Sequence, residues 1–278
     1  MKHVIFTSSD SKYGDFLINH WLPSLKDNVN LNKIDIVILD YGLTKEQISK
    51  LKGVKIYKGV RNGHVCAIRF RGMLKFLEKN KYDQVLSIDG GDIIFQDDLK
   101  QAFENYKNHF RVVCEDFHFP FEDFFVKNFF KKTDIKKIKK TLKNKKQINA
   151  GVIFGPYSKF KKLCKEINTL LINKNNFGPD QVAVNYILYK DGFKNLDKKY
   201  NFVIIATNIK NKFFIEKGVF YLENGEKIAI VHNAGNKPYF RPIKNFGYGP
   251  SYNKIKKPTY FIVRNFIRMI HFFKKKRS

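Results

Sequence analysis

The chain has 278 residues, 43% of them hydrophobic, enough for one large domain with a sizeable core or two small ones. Its formal net charge of +28 is far above that of most globular proteins, so an anionic partner enters every reading: nucleic acid, membrane phospholipid or a phosphorylated small molecule, with plain solvated lysine as the alternative. Three scattered cysteines, Cys66, Cys114 and Cys164, fit neither a CxxC metal site nor a disulfide framework, and no run approaches the ~18 apolar residues of a spanning helix, so a reducing compartment and a non-integral protein are expected.

The first apolar run, His3 to Phe6, predicts a strand that leaves through a polar Thr-Ser-Ser-Asp turn, after which Phe16, Leu17, Trp21 and Leu25 recur at helical spacing. Ile34 to Asp40 predicts a second strand. Thr44 with Gln47 three residues on predicts a capping box and a helix reaching Lys52. Val54 to Tyr57, Ala67 to Lys79 and Gln84 to Ile88 read as strand, helix and strand. Alternation of this kind predicts a mostly parallel sheet covered on both faces, with ligands at the carboxyl ends of its strands. Farther on, Lys131 to Lys146 is strongly basic with helix-forming composition, either a solvated helix face or insertion or a contact for anionic lipid or acceptor. Gln147 to Phe154 predicts a strand, Phe160 to Asn173 and Asp180 to Tyr189 predict helices, and Phe202 to Ala206 and Ile228 to His232 predict strands.

One strand ends in an unusual way. Val85 to Gln96, VLSIDGGDIIFQ, carries Asp89 and Asp92 through an apolar run with only glycines between them. An Asp-Gly turn explains this locally. So does a divalent cation held by oxygen ligands where a buried strand meets solvent.

Seven stretches in fixed order carry a resemblance: Val4 to Asp10 with Tyr13, Ile38 to Thr44, the helix with Arg69 and Arg71, Asp89-Gly90-Gly91-Asp92, Asn149-Ala150-Gly151, Asp180-Gln181, and His232 to Tyr239. From about Val4 to Tyr239 the chain resembles glycosyltransferase family 8, the retaining group that includes glycogenin and lipopolysaccharide galactosyl- and glucosyltransferases. The resemblance implies a single GT-A domain, an α/β Rossmann-like fold with a mostly parallel mixed sheet flanked by helices over 1–250, the basic segment 131–146 within it, and a basic amphipathic C-terminal tail over 251–278. It places Ser8 and Asp10 on base and ribose, and Arg71, nearer than Arg69 to the expected distance, on the nucleotide. Asp89, Asp92 and His232 fall on the metal, Mn2+ or Mg2+. Lys237 falls on the diphosphate, Asn149 beside the donor sugar, and Asp180 and Gln181 near the anomeric carbon. Two departures stand out: family members usually have Asp-x-Asp, one residue shorter, and the His232 motif has one residue fewer before Lys-Pro and Tyr239 in place of Trp.

The implied activity is transfer of a hexose from a nucleotide-diphosphate sugar to a hydroxyl of a cell-surface glycan or lipid-linked acceptor, with retention. An inverting transferase with Glu115 or Asp116 as base is the alternative, and a basic nucleic-acid-binding protein the second, although no DNA- or RNA-binding motif is found. In the tail, Arg264, Arg268 and His271 form a polar stripe with Phe261, Ile262, Phe266, Ile270 and Phe273 elsewhere, a pattern suited to an anionic bilayer surface. A cytoplasmic protein, peripheral on the inner membrane, is therefore expected, and a homodimer is one expectation for its assembly.

Overall fold

The computed structural model describes residues 2–116, 128–206, 213–235 and 241–256, together with Ile262, Asn265 and Met269. The expectations for Lys237 and for most of the C-terminal tail lie outside them. Among the described residues no helix is long and apolar enough to cross a membrane.

The central sheet has seven strands: β1 (His3–Ser9), β2 (Ile34–Asp40), β3 (Lys55–Lys58), β4 (Gln84–Ile88), β6 (Phe110–Val112), β7 (Val152–Pro156) and β8 (Phe193–Asn195), in the order β3-β2-β1-β4-β7-β6-β8. The first four are parallel, β7 runs antiparallel to both β4 and β6, and β8 is parallel to β6. A second sheet joins β5 (Ile93–Phe95), β9 (Phe202–Val203) and β12 (Ile230–His232) in the order β5-β12-β9. Two hairpins complete the strands, β10 (Phe213–Glu216) with β11 (Val219–Leu222) and β13 (Ile243–Lys244) with β14 (Lys254–Ile255). The 250/251 boundary thus falls within the second hairpin.

Side chains alternate across the main sheet and bury both faces. Val4, Phe6, Val37, Leu39 and Val85 point into one core with helix α4 (Val65–Lys79), α6 (Lys132–Leu142), α7 (Tyr157–Leu170) and α8 (Pro179–Asp191). Ile5, Ile36, Ile38, Leu86 and Ile88 point into the other with Leu17, Trp21 and Leu25. These last three lie on a helical passage from α1 (Ser11–Phe16) through a π-helical turn at Leu17–Trp21 to α2 (Leu22–Asn28). The capping box is present: Thr44 Oγ1 accepts from Gln47 N and Gln47 Oε1 from Thr44 N, both at 3.1 Å, starting α3 (Lys45–Lys50). The basic segment is largely helix α6, which buries Ile138 and Leu142 and exposes most of its lysines. α5 (Lys100–Glu104) follows β5.

The strand expected from Gln147 begins only at Val152. Its first residues peel away because side chains of α8 take their backbone groups: Asn185 Oδ1 accepts from Ile148 N at 2.8 Å and Gln181 Oε1 from Ala150 N at 3.0 Å.

Candidate active site at the carboxyl edge of the sheet

Parallel β1 and β4 end side by side, so Ser8, Asp10 and Asp89 share one edge. Asp89 is fixed from three sides. Its N–H donates to Gly151 O at 2.9 Å, its carbonyl accepts from Trp21 Nε1 at 3.0 Å, and its carboxylate receives the Arg69 guanidinium. The π turn before α2 ends on Trp21, the residue that makes the second of these bonds. Strand β5 begins directly after Asp92, and it pairs antiparallel with β12 so that Ile93 faces His232. Asn233 N then donates to Asp92 O at 2.9 Å. That register brings a carboxylate from an early segment to a histidine 140 positions later.

The result is a three-residue cluster in which one donor atom each from Asp89, Asp92 and His232 lies within 4.8 Å of the others. His232 Nε2 is 3.4 Å from Asp92 Oδ1 and 3.9 Å from Asp89 Oδ2. Each aspartate gives one oxygen to this point and the other to an arginine: Asp89 Oδ1 to Arg69, and Asp92 Oδ2 to Arg241 Nη2 at 3.0 Å. Two carboxylate oxygens and one imidazole nitrogen suit a Mn2+-like ion, and small side-chain shifts bring them to the ~2.0–2.6 Å of hard-cation bonds. The approach is kept open by Gly151, where a Cβ would lie 2.5 Å from His232 Cε1 and 2.8 Å from Asp89 Oδ2. At Gly91 a Cβ would meet the Tyr13 ring at 2.6 Å, so the longer Asp-Gly-Gly-Asp spacing passes beneath that ring. The residues present therefore fit a divalent cation.

The electrostatics agree. Burial raises the Asp89 pKa, but the Arg69 charge, helped by His232, outweighs it and holds the carboxyl below its ordinary range. Burial, joined by the Asp89 charge, leaves the Asp180 carboxyl raised, although Arg69 Nη2 lies 3.6 Å from its Oδ2 and lowers it. Burial lowers the His232 imidazole, yet Asp92 and then Asp89 outweigh it, so in the absence of a cation the ring is held above its usual pKa. Burial also pushes Glu115 up to about 7, against the Asn149 amide that donates to it at 3.0 Å.

The expected site residues fall into three groups. Asp89, Asp92 and His232 converge on one another, and Asp180 joins Asp89 on Arg69. Ser8 lies near the end of neighbouring β1 and Asp10 just past it, where Asp10 caps α1 by accepting from Lys12 N at 3.2 Å and pairs with Arg61 Nη2 at 2.9 Å. Asn149 and Gln181 are engaged within the protein. Asn149 Oδ1 accepts from Gly151 N at 2.9 Å, while Gln181 Nε2 donates to Ile148 O at 2.8 Å and its oxygen serves Ala150.

Arg71 is not brought to the cluster: its Nη2 donates to Val60 O at 2.6 Å, and Arg69 occupies the inward place instead. The reason is helical phase. Arg69 shares the buried stripe of Met73 and Phe76, whereas Arg71 shares the face of Lys75 and Glu78. The periodicity carried that signal. Arg241 and Asn201, which holds His232, had none.

A mostly parallel sheet with a short antiparallel continuation, covered by helices and bearing an acidic motif at its carboxyl edge, is the GT-A fold. Among solved structures the chain is similar to the galactosyltransferase LgtC in complex with donor and acceptor sugar analogs, with 13% identity, 94% of this chain and 95% of that one covered, and a TM-score of 0.53. It is also similar to the glycosyltransferase GlyE of Streptococcus pneumoniae TIGR4, with 17% identity, 99% of this chain against 64% of that one, and a TM-score of 0.53. For the bifunctional glycosyltransferase WbbM the values are 16% identity, 95% against 49%, and 0.57. No family model matches the chain, and no curated protein matches it by sequence.

Proposed function

We propose that this protein is a metal-dependent glycosyltransferase that moves a hexose from a nucleotide-diphosphate sugar to a hydroxyl of a cell-surface glycan or lipid-linked acceptor, with retention of anomeric configuration. UDP-glucose, UDP-galactose or an N-acetyl derivative is the proposed donor. One observation carries the reading: Asp89, Asp92 and His232 converge on a single point at the carboxyl edge of a GT-A sheet. LgtC, of the same fold, holds donor and acceptor sugar analogs, which supports the substrate classes.

A Mn2+ or Mg2+ held by Asp89, Asp92 and His232 would neutralise charge developing on a leaving diphosphate. The chain's own residues do the rest. Arg69 keeps Asp89 ionised, and Arg241 orients Asp92 while adding positive charge beside the diphosphate. Ser8 and Asp10 bind base and ribose, Lys237 contributes a second charge to the phosphates, and Asp180, beside Arg69, binds sugar hydroxyls. The departing phosphate oxygen can take the acceptor's proton, so retention needs no separate base. The inverting alternative keeps one support: a Glu115 carboxyl near pKa 7 is poised for proton abstraction, while Asp116 is paired with Lys198 at 2.7 Å.

The test is a panel of UDP-sugars with Mn2+ and then with chelator, the product anomer being read by NMR. Metal-dependent UDP release with a retained anomer is expected, as is a loss of at least about 10²–10³-fold in Asp92→Ala. Unchanged metal-dependent turnover in that variant would overturn the assignment, and an inverted product would transfer the chemistry to Glu115. We also place the protein on the cytoplasmic face of the inner membrane, supported by its charge and basic tail. Unchanged membrane recovery after truncation at Pro258 would remove that part.

A further inference from the structure

The histidine of the cluster depends on a residue outside the seven motif stretches, Asn201. His232 Nδ1 lies 3.0 Å from Asn201 Oδ1, Asn201 Nδ2 donates to Asn149 Oδ1 at 3.2 Å, and Asn149 Nδ2 donates to Glu115 Oε1 at 3.0 Å. One fixed point sets the direction of this chain. The Gly151 main-chain N–H, which can only donate, points at Asn149 Oδ1. The Asn149 oxygen therefore faces Gly151 and Asn201, and its NH2 faces Glu115. Asn201 must meet that oxygen with its own NH2, which turns its oxygen toward His232. An amide oxygen only accepts, so His232 Nδ1 must carry a proton, and the neutral ring keeps its lone pair on Nε2, the atom that faces Asp92 and Asp89. Asn201 and His232 are each 2% exposed, so solvent is no substitute partner.

We infer that Asn201 is a positioning residue for the cation site, fixing His232 in the Nδ1–H tautomer so that Nε2 is a preformed ligand. The inference rests on the cation-site reading above and goes beyond it by naming what makes the imidazole competent. Groups that hold a metal-binding histidine by its far nitrogen typically contribute roughly 10–100-fold to metal affinity.

Two measurements test it without relying on turnover. In the first, 15N NMR of metal-free wild type in buffer alkaline enough to leave the ring neutral reads the tautomer, the resonance being assigned by its loss in His232→Gln. Protonation at Nδ1 is expected, and protonation at Nε2 overturns the inference. In the second, Mn2+ is titrated by electron paramagnetic resonance into wild type, Asn201→Ala and Asn201→Asp. The alanine variant should bind roughly 10–100-fold more weakly. The aspartate variant should retain most of the affinity, because a carboxylate still accepts from Nδ1. Equal affinity in wild type and Asn201→Ala overturns the inference, and if the alanine variant does not fold, the wild-type tautomer decides. Wild type that binds no Mn2+ overturns the cation-site reading itself, whereas binding with the wrong tautomer removes only the role of Asn201.

Discussion

Two corners of the same sheet edge are built in opposite ways. At the cluster of Asp89, Asp92 and His232 each ligand has a second anchor: Arg69 at 4% exposure, Arg241, and Asn201. At the neighbouring turn, Asp10 pairs with Arg61, whose side chain is 52% exposed, and its other bond is a helix cap. Buried charge must be paired before any ligand arrives, because an unpaired ion away from water costs several kcal/mol; Asp10, itself 8% exposed, meets that need with a guanidinium that reaches in from solvent rather than one buried beside it. The cation corner is therefore preorganised by partners held within the fold, whereas Asp10 relies on a partner, Arg61, that solvent can draw away.

The largest effect that could break this contrast is at Arg69. Substitution Arg69→Met leaves Asp89 and Asp180 without their buried countercharge, and unfolding free energy should fall by about 3–5 kcal/mol in denaturant titration. Arg71→Met, two residues on and outside the cluster, should cost under about 1 kcal/mol. Similar losses for both would erase the distinction between inward and outward arginines.

Next in size is Glu115. A carboxyl raised from 4.5 to about 7 holds its proton more tightly in the folded chain, so the stability present at low pH is lost as pH rises through about 7. Metal-free Glu115→Gln keeps an acceptor for Asn149 and should be more stable than wild type by about 1–3 kcal/mol above pH 7, with the difference vanishing toward pH 4.5. Parallel pH profiles for the two proteins would contradict this.

The smallest stability effect belongs to Asp10, whose countercharge is exposed. Asparagine caps helices about as well as aspartate, so Asp10→Asn should change stability by no more than a few tenths of a kcal/mol. Its UDP affinity should nevertheless fall, as read by calorimetry. If affinity and stability were both unchanged, Asp10 would be a cap and nothing more.

Much of this arrangement was legible beforehand. The four apolar runs through Ile88 and the helices between them appear with ends shifted by a few residues, because alternation and helical spacing are local properties. Asp89 and Asp92 also stood out, as acidic residues inside an apolar run, and the family resemblance added His232. What was not legible depends on distant pairing. The sheet β5-β12-β9 is built of strands of two or three residues, too short for periodicity, yet it sets the His232–Asp92 register. The reversal at β7 leaves no mark either, since a strand buried on both faces reads the same in either direction. Arg241 and Asn201 acquire their roles from partners 149 and 31 positions away. Arg69 is the instructive case: motif distance favoured Arg71, but the apolar stripe of α4 already selected its neighbour.

The central claim is that two carboxylates from the turn between β4 and β5 and an imidazole from β12 hold one cation. Electron spin-echo measurements on Mn2+-loaded protein read this directly, because a coordinated imidazole nitrogen modulates the echo. The account predicts one Mn2+ per chain with a single histidine nitrogen coupled to it, a signal that disappears in His232→Gln. A tightly bound Mn2+ with no nitrogen coupling in wild type would contradict it.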